Sequence, residues 1–172
     1  MALPLIWLGA GLAALYAGAK YSDSKTYRGA VDHMPGEGDL SVAPVDGCIV
    51  SCGVFGVFDH TGVWIDGNII ELKGNGLIRG ISPQRFLGER SGDEIFVACC
   101  TDSIPLIADG IYERTVNQLY QYSEYDLVRN NCHKFVWSCI SDQNEAITRF
   151  TELNNKMANH FDTNISWQKL LI

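Results

Sequence analysis

The chain has 172 residues, 47% of them hydrophobic and 19% charged, with a formal net charge of −7. That length suits one domain of about 100–150 residues plus an appendage, and the composition excludes wholesale disorder. The acidic balance and the lack of a Lys/Arg stripe exclude a nucleic-acid binder that neutralises phosphates, and they leave apolar contact as the route to a membrane.

Residues 2–19 carry no charge and a single proline, Pro4. As a helix, such a stretch of about 18 residues is about 27 Å long and nearly spans a bilayer core. Lys20, Lys25 and Arg28 follow it, so the positive-inside rule predicts a single-pass anchor over residues 1–20 with the globular part in the cytoplasm. A cleaved signal peptide is the alternative, because Ala17-Gly18-Ala19 has the form of a cleavage site, although the basic region that usually opens such a peptide is missing. The small residues Gly9 and Ala13, or Ala14 and Gly18, have the spacing that lets two anchors pack as a homodimer.

Residues 21–39 are mixed polar with Gly and Pro and read as a linker, so the domain is expected over residues 40–172. Strands are predicted at 48–57, 60–65, 68–72 and 94–100, each rich in Val, Ile, Phe or Cys and bounded by turn residues. Asp66-Gly67 is the strongest hairpin signal. A two-residue turn there sets positions 62 and 71 opposite each other.

Residues 104–122 have helical spacing with a break at Gly110. Asn131 can cap the next helix, on which Cys132, Phe135, Val136, Cys139 and Ile140 share one face. A third, weakly amphipathic helix is predicted over 145–161, and the tail with Trp167, Leu170 and Leu171 is expected to pack on the domain. The class is α+β: a small antiparallel sheet packed against a helix that carries Cys132.

Six cysteines lie mostly in apolar runs, which favours buried free thiols over a disulfide set. Only Cys48 and Cys52 have metal-ligand spacing, so no metal is expected. Cys132 differs from the rest because the first turn of a helix offers unpaired N–H groups and a positive dipole end, both of which favour a thiolate. An unassisted thiol is about 3% ionised at neutral pH, so such an environment can enlarge the reactive population about thirtyfold.

The base must come from elsewhere. His33 lies in the linker, His160 lies near the end, and His133 on a helix would project about 100° away from Cys132. His60 opens a predicted strand, and Glu71 interrupts an apolar run on the return strand, a diagonal step from His60 on the same face. Cys132, His60 and Glu71 are therefore the candidate nucleophile, base and orienting carboxylate, with Cys139 as the structural thiol for comparison.

The stretch Tyr125-Asp126-Leu127-Val128-Arg129-Asn130-Asn131-Cys132-His133-Lys134-Phe135-Val136 resembles the nucleophile motif of the lecithin:retinol acyltransferase-like family, which reads Asn-Cys-Glu-His-Phe after a Tyr-x-Leu. His60-Thr61-Gly62-Val63-Trp64-Ile65-Asp66-Gly67-Asn68-Ile69-Ile70-Glu71 is similar to that family's His-x-x-x-Tyr-Val-Gly-Asp-Gly-x-Val-Ile-His. The similarity covers residues 46–140. It departs in having Glu71 near the place of the second His, offset by one residue, and His133-Lys134 after the cysteine in place of Glu-His.

The resemblance implies a circularly permuted papain-like fold, related to NlpC-type peptidases. It also implies a thiol that attacks an ester or amide carbonyl, forms an acyl-thioester and passes the acyl group to water or another acceptor without metal or organic cofactor. An anchored domain favours lipid acyl chains as substrate. Two alternatives stay open: an amidase or peptidase of the same fold acting on peptide, isopeptide or cell-wall bonds, and a non-catalytic membrane-tethered binding module.

Overall fold

A computed structural model describes residues 30–172 apart from 55, 57, 89 and 91. The segment expected to be an anchor, residues 1–20, lies outside the described residues; among those described, no helix is long and apolar enough to cross a membrane.

The domain is α+β and is built on one sheet. Its strands are β1 (Val31–His33), β2 (Ser41–Val42), β3 (Ile49–Val54), β4 (Phe58–Ile65), β5 (Asn68–Leu72), β6 (Ile78–Ile81), β7 (Phe96–Cys99) and β8 (Ile165–Leu170). They run in the order β1-β8-β7-β3-β4-β5-β6, with β2 also on β8. The sheet is larger than the small antiparallel one expected, and it is mixed: β1 and β2 both pair with β8 in parallel, while the other pairs are antiparallel.

Strand alternation sorts the apolar side chains into two clusters, as a period of two requires. Ile49, Val63, Ile65, Ile70, Leu72, Ala98 and Trp167 face one core, whereas Val50, Cys52, Trp64, Ile69, Val97 and Cys99 face the other. The helices are α1 (Pro83–Gly88), α2 (Ile111–Val116), α3 (Cys132–Ser141) and α4 (Phe150–Phe161). Phe135, Val136, Cys139 and Ile140 of α3 and Leu153 and Met157 of α4 fill the first core, and Phe86 of α1 fills the second.

The Asp66-Gly67 hairpin forms as expected, with both residues left-handed (φ 48° and 73°), which matches the twist of the flanking strands. Other expectations need correction. Within the stretch read as a linker, Val31–His33 is a strand on β8, so the sheet begins before residue 40. The helix expected over 104–122 shrinks to Ile111–Val116: Pro105 bridges Cys99, and the Leu106 N–H donates to the Ala98 carbonyl, so this stretch runs beside β7 instead. The helix expected from 145 starts at Phe150, where the Glu152 carboxylate accepts from the Thr148 N–H at 2.9 Å. The tail does more than pack: β8 joins β7 to β1 and β2, and Trp167 is wholly buried with its indole N–H donating to Asn154 Oδ1 at 2.9 Å.

Candidate active site

The loop before α3 sets the position of Cys132. Asp126 Oδ1 accepts from the N–H groups of Val128 and Arg129 at 2.9 and 2.7 Å, and Asp126 and Asn130 exchange backbone hydrogen bonds. This tight turn delivers Asn131, whose extended backbone suits an N-cap. Its Oδ1 accepts from the His133 and Lys134 N–H groups, both at 3.0 Å. Its amide donates to the carbonyls of Leu127 and Thr148, so one residue ties the loop, α3 and the approach to α4 together. Asn131 thus serves the second and third N–H groups of the helix and leaves the first, that of Cys132, outside the cap.

His60 sits on β4, beside Cys52 of β3 in register, with its ring against Phe86 at 5.3 Å between centroids. The β4–β5 register runs Ile65 to Asn68, Trp64 to Ile69 and Val63 to Ile70; its continuation sets Gly62 across from Glu71 and puts His60 a diagonal step away. His60 Nε2 and Glu71 Oε2 lie 2.7 Å apart. Gly62 is needed for this approach, because a Cβ there would lie 2.6 Å from Ile69 Cγ2 and 2.8 Å from the Ile70 carbonyl oxygen.

Glu71 has no solvent exposure, yet both of its oxygens are engaged. Oε1 accepts from Arg79 Nε at 2.9 Å, and Oε2 accepts from Arg90 as well as meeting His60. Arg79 stands directly across from Glu71 on β6. Arg90 also donates to the Phe86 carbonyl and lies 4.7 Å over the Phe86 ring. A buried carboxylate is tolerable when it is paired and hydrogen-bonded in this way.

These contacts set the ionisation of the site. Burial alone would raise the Glu71 carboxyl, but the hydrogen bond and charge of His60, then the two guanidiniums, bring it from 4.5 down to about 2. Burial alone would lower His60; the charge and hydrogen bond of Cys132, with the Glu71 hydrogen bond, outweigh it and raise the imidazole above 6.5. Burial likewise opposes the Cys132 thiolate, but the charges of His133 and His60 and hydrogen bonds from both rings hold this thiol well below its ordinary 9.0. The contrast is with Cys48, Cys52 and Cys99, each pushed up to about 12 chiefly by burial, and with Cys139, pushed up to about 11.

A cleft of about 400 Å³ opens onto the sulfur, lined by Cys132, His60, His133 and Arg90 together with Val54, Phe58, Tyr125, Leu127 and Thr148. The three side chains singled out in the sequence therefore meet in one place. Sequence reasoning missed three others. His133, expected to project away from Cys132, instead has Nδ1 3.8 Å from Cys132 Sγ and 3.1 Å from Thr61 Oγ1. Arg79 was recoverable had the Gly-rich turn at residues 74–76 been read as a second hairpin; Arg90 reaches Glu71 from the irregular segment after α1, and no sequence pattern announces it. Among the described residues, no group of three or more His, Cys, Asp and Glu is arranged to hold a metal ion.

Comparison with protein-family models, with curated proteins and with solved structures finds no match to this chain.

Proposed function

We propose that this chain is a cysteine-dependent hydrolase or acyltransferase with the permuted papain-like arrangement, acting on an ester or amide carbonyl through an acyl-thioester on Cys132. The observation that carries this reading is one thiol, Cys132, held well below its ordinary range at a capped helix start, beside an imidazole that a carboxylate orients. Structural cysteines buried in apolar surroundings move in the other direction, as Cys48, Cys52, Cys99 and Cys139 of this fold do.

The geometry supports the following steps. Ionised Glu71 requires a proton on His60 Nε2, which leaves Nδ1 to take the thiol proton. The thiolate attacks the carbonyl carbon, and the developing oxyanion meets the Cys132 N–H that the cap leaves open. Collapse expels the leaving group with the proton from His60. Water or an acceptor hydroxyl then attacks the thioester, gives its proton to an imidazole, and the electron pair of the breaking C–S bond returns to sulfur.

An acyl chain is the substrate group best suited to the cleft, because Val54, Phe58 and Leu127 line it beside the nucleophile. In this proposal residues 1–20 anchor the domain on the cytoplasmic face of a membrane, where such chains are at hand. The test is turnover of a panel of acyl esters, phospholipid vesicles and peptide amides by the wild type, Cys132→Ala and His60→Ala. Release or transfer of fatty acid that both substitutions abolish supports the reading. Activity confined to amides moves it to an amidase or peptidase, and no turnover of any member leaves a binding module.

A further inference from the structure

We infer that His133 is a second catalytic imidazole that shares the Cys132 thiolate with His60; this rests on the nucleophile reading above and adds a group to it. The helix that carries Cys132 places His133 one residue on, and its ring turns back instead of away. Nδ1 lies 3.8 Å from the sulfur, within the longer reach of hydrogen bonds to sulfur.

The ring is held there from two sides. Thr61, wholly buried on β4, bonds the same Nδ1 at 3.1 Å, and Phe150 of α4 packs on the ring at 5.7 Å between centroids. His133 is itself 3% exposed. A buried imidazole needs hydrogen-bond partners, and of the two that this nitrogen faces, the Thr61 hydroxyl and the Cys132 sulfur, the sulfur is the one that can carry charge.

The groups that face the sulfur can be taken element by element. His133 comes from its own helix, His60 from β4 and Cys52 from β3, while Glu71 of β5 and Arg90 stand behind His60, and Asp59 lines the same cleft. Of these groups, the two imidazoles have ring nitrogens that can take up a proton and give it back. His60 is bound to the Glu71 carboxylate on its far nitrogen; His133 has the Thr61 hydroxyl, beside the sulfur itself, on the nitrogen that faces the sulfur.

Two imidazoles divide the proton traffic. In acylation the proton leaves the Cys132 thiol for His60 Nδ1 and passes to the leaving group. In deacylation the O–H bond of water or an acceptor alcohol breaks, its proton goes to His133 Nδ1, its oxygen bonds the acyl carbon, and the C–S electron pair returns to sulfur. The thiolate is then paired with a His133 imidazolium, and the sulfur relays that proton to His60 for the next turnover.

The test is the pH profile of iodoacetamide alkylation at Cys132, followed by peptide mass mapping, in the full chain and in His133→Gln, His60→Gln and the double variant. His133→Gln is expected to move the midpoint upward and to lower the acid-side rate about tenfold or more, and the double variant is expected to exceed either single one. A wild-type profile with a low midpoint that His133→Gln leaves superimposed overturns this inference alone. A wild-type midpoint in the ordinary thiol range overturns the nucleophile reading and this inference with it. Cys139 reports on folding in the same digest, since it reacts only when the core opens; should His133→Gln unfold, Thr61→Ala replaces it. That variant frees the ring from its holder and is expected to raise the midpoint by a smaller amount, and a profile identical to wild type overturns the proposal.

Discussion

His60 and Glu71 meet at 2.7 Å between Nε2 and Oε2, across the paired strands of a hairpin, and the same carboxylate also takes two guanidiniums. Those partners decide what Glu71 can do. His60 first, and then Arg90 and Arg79, hold the carboxyl at about 2, so it orients the imidazole and fixes its tautomer but does not accept its proton. A base held by an ionised carboxylate keeps one nitrogen protonated and the other aimed at its target.

Glu71→Gln tests that cluster. Neutralising the carboxylate takes the charge of the buried Glu71 away from the part-buried Arg79 and Arg90, and removal of one partner of a buried ion pair costs about 3–5 kcal/mol. The expected result is a large fall in the urea midpoint, together with loss of turnover in whatever fraction remains folded, read by circular dichroism and an ester assay.

The pH dependence has two independent parts. Glu71 is depressed from 4.5 to about 2, so its stabilisation is fully present above 4.5 and is lost as the pH falls toward 2. The thiolate–imidazolium pair works in another window: it forms as Cys132 ionises, well below 9.0, and it disappears as the pH rises through the raised value of His60, above 6.5. Turnover against pH is therefore expected to be bell-shaped, with the alkaline limb above 6.5 belonging to His60, and alkylation of Cys132 in His60→Gln is expected to rise with pH at a higher midpoint than in the wild type.

Asn131→Ala removes the bonds to two N–H groups of α3 and to the carbonyls of Leu127 and Thr148. The lost cap costs about 1 kcal/mol. The larger consequence is for the position of Cys132, so the acyl-transfer rate is expected to fall by more than the stability loss explains. Thermal unfolding and turnover measured on the same samples separate the two.

Gly62→Ala acts at a distance from the sulfur. The added methyl meets the Ile70 carbonyl at 2.8 Å and Ile69 Cγ2 at 2.6 Å, so β4 and β5 must part where His60 reaches Glu71. Overpacking of this kind costs about 1–3 kcal/mol. Alkylation of Cys132 at mildly acidic pH is expected to slow in the folded variant, while an alanine at Gly67, in the exposed turn with open space around it, is expected to affect stability alone.

The local signals in the sequence were strong where one short segment carries its own constraint. Asp66-Gly67 specifies a two-residue turn, that turn specifies the register, and the register brings His60 to Glu71 without any long-range information. Asn131 announces the start of α3 for the same reason. What depends on distant partners was not legible: β8 is a strand because β7, β1 and β2 lie beside it, and β1 is too short to declare itself. His133 departs from the 100° projection because that angle describes a regular helix interior, whereas in the first turn Thr61 and the cleft decide the ring's direction.

The most direct test of the central claim is intact-mass capture of the acyl-enzyme. After brief exposure to an activated acyl donor and an acid quench, the wild type is expected to gain one acyl mass, mapped to Cys132 and removed by hydroxylamine, while Cys132→Ala gains none. An acyl group found on other residues, or equally on Cys139, or no adduct at all under conditions where donor is consumed, would contradict the account.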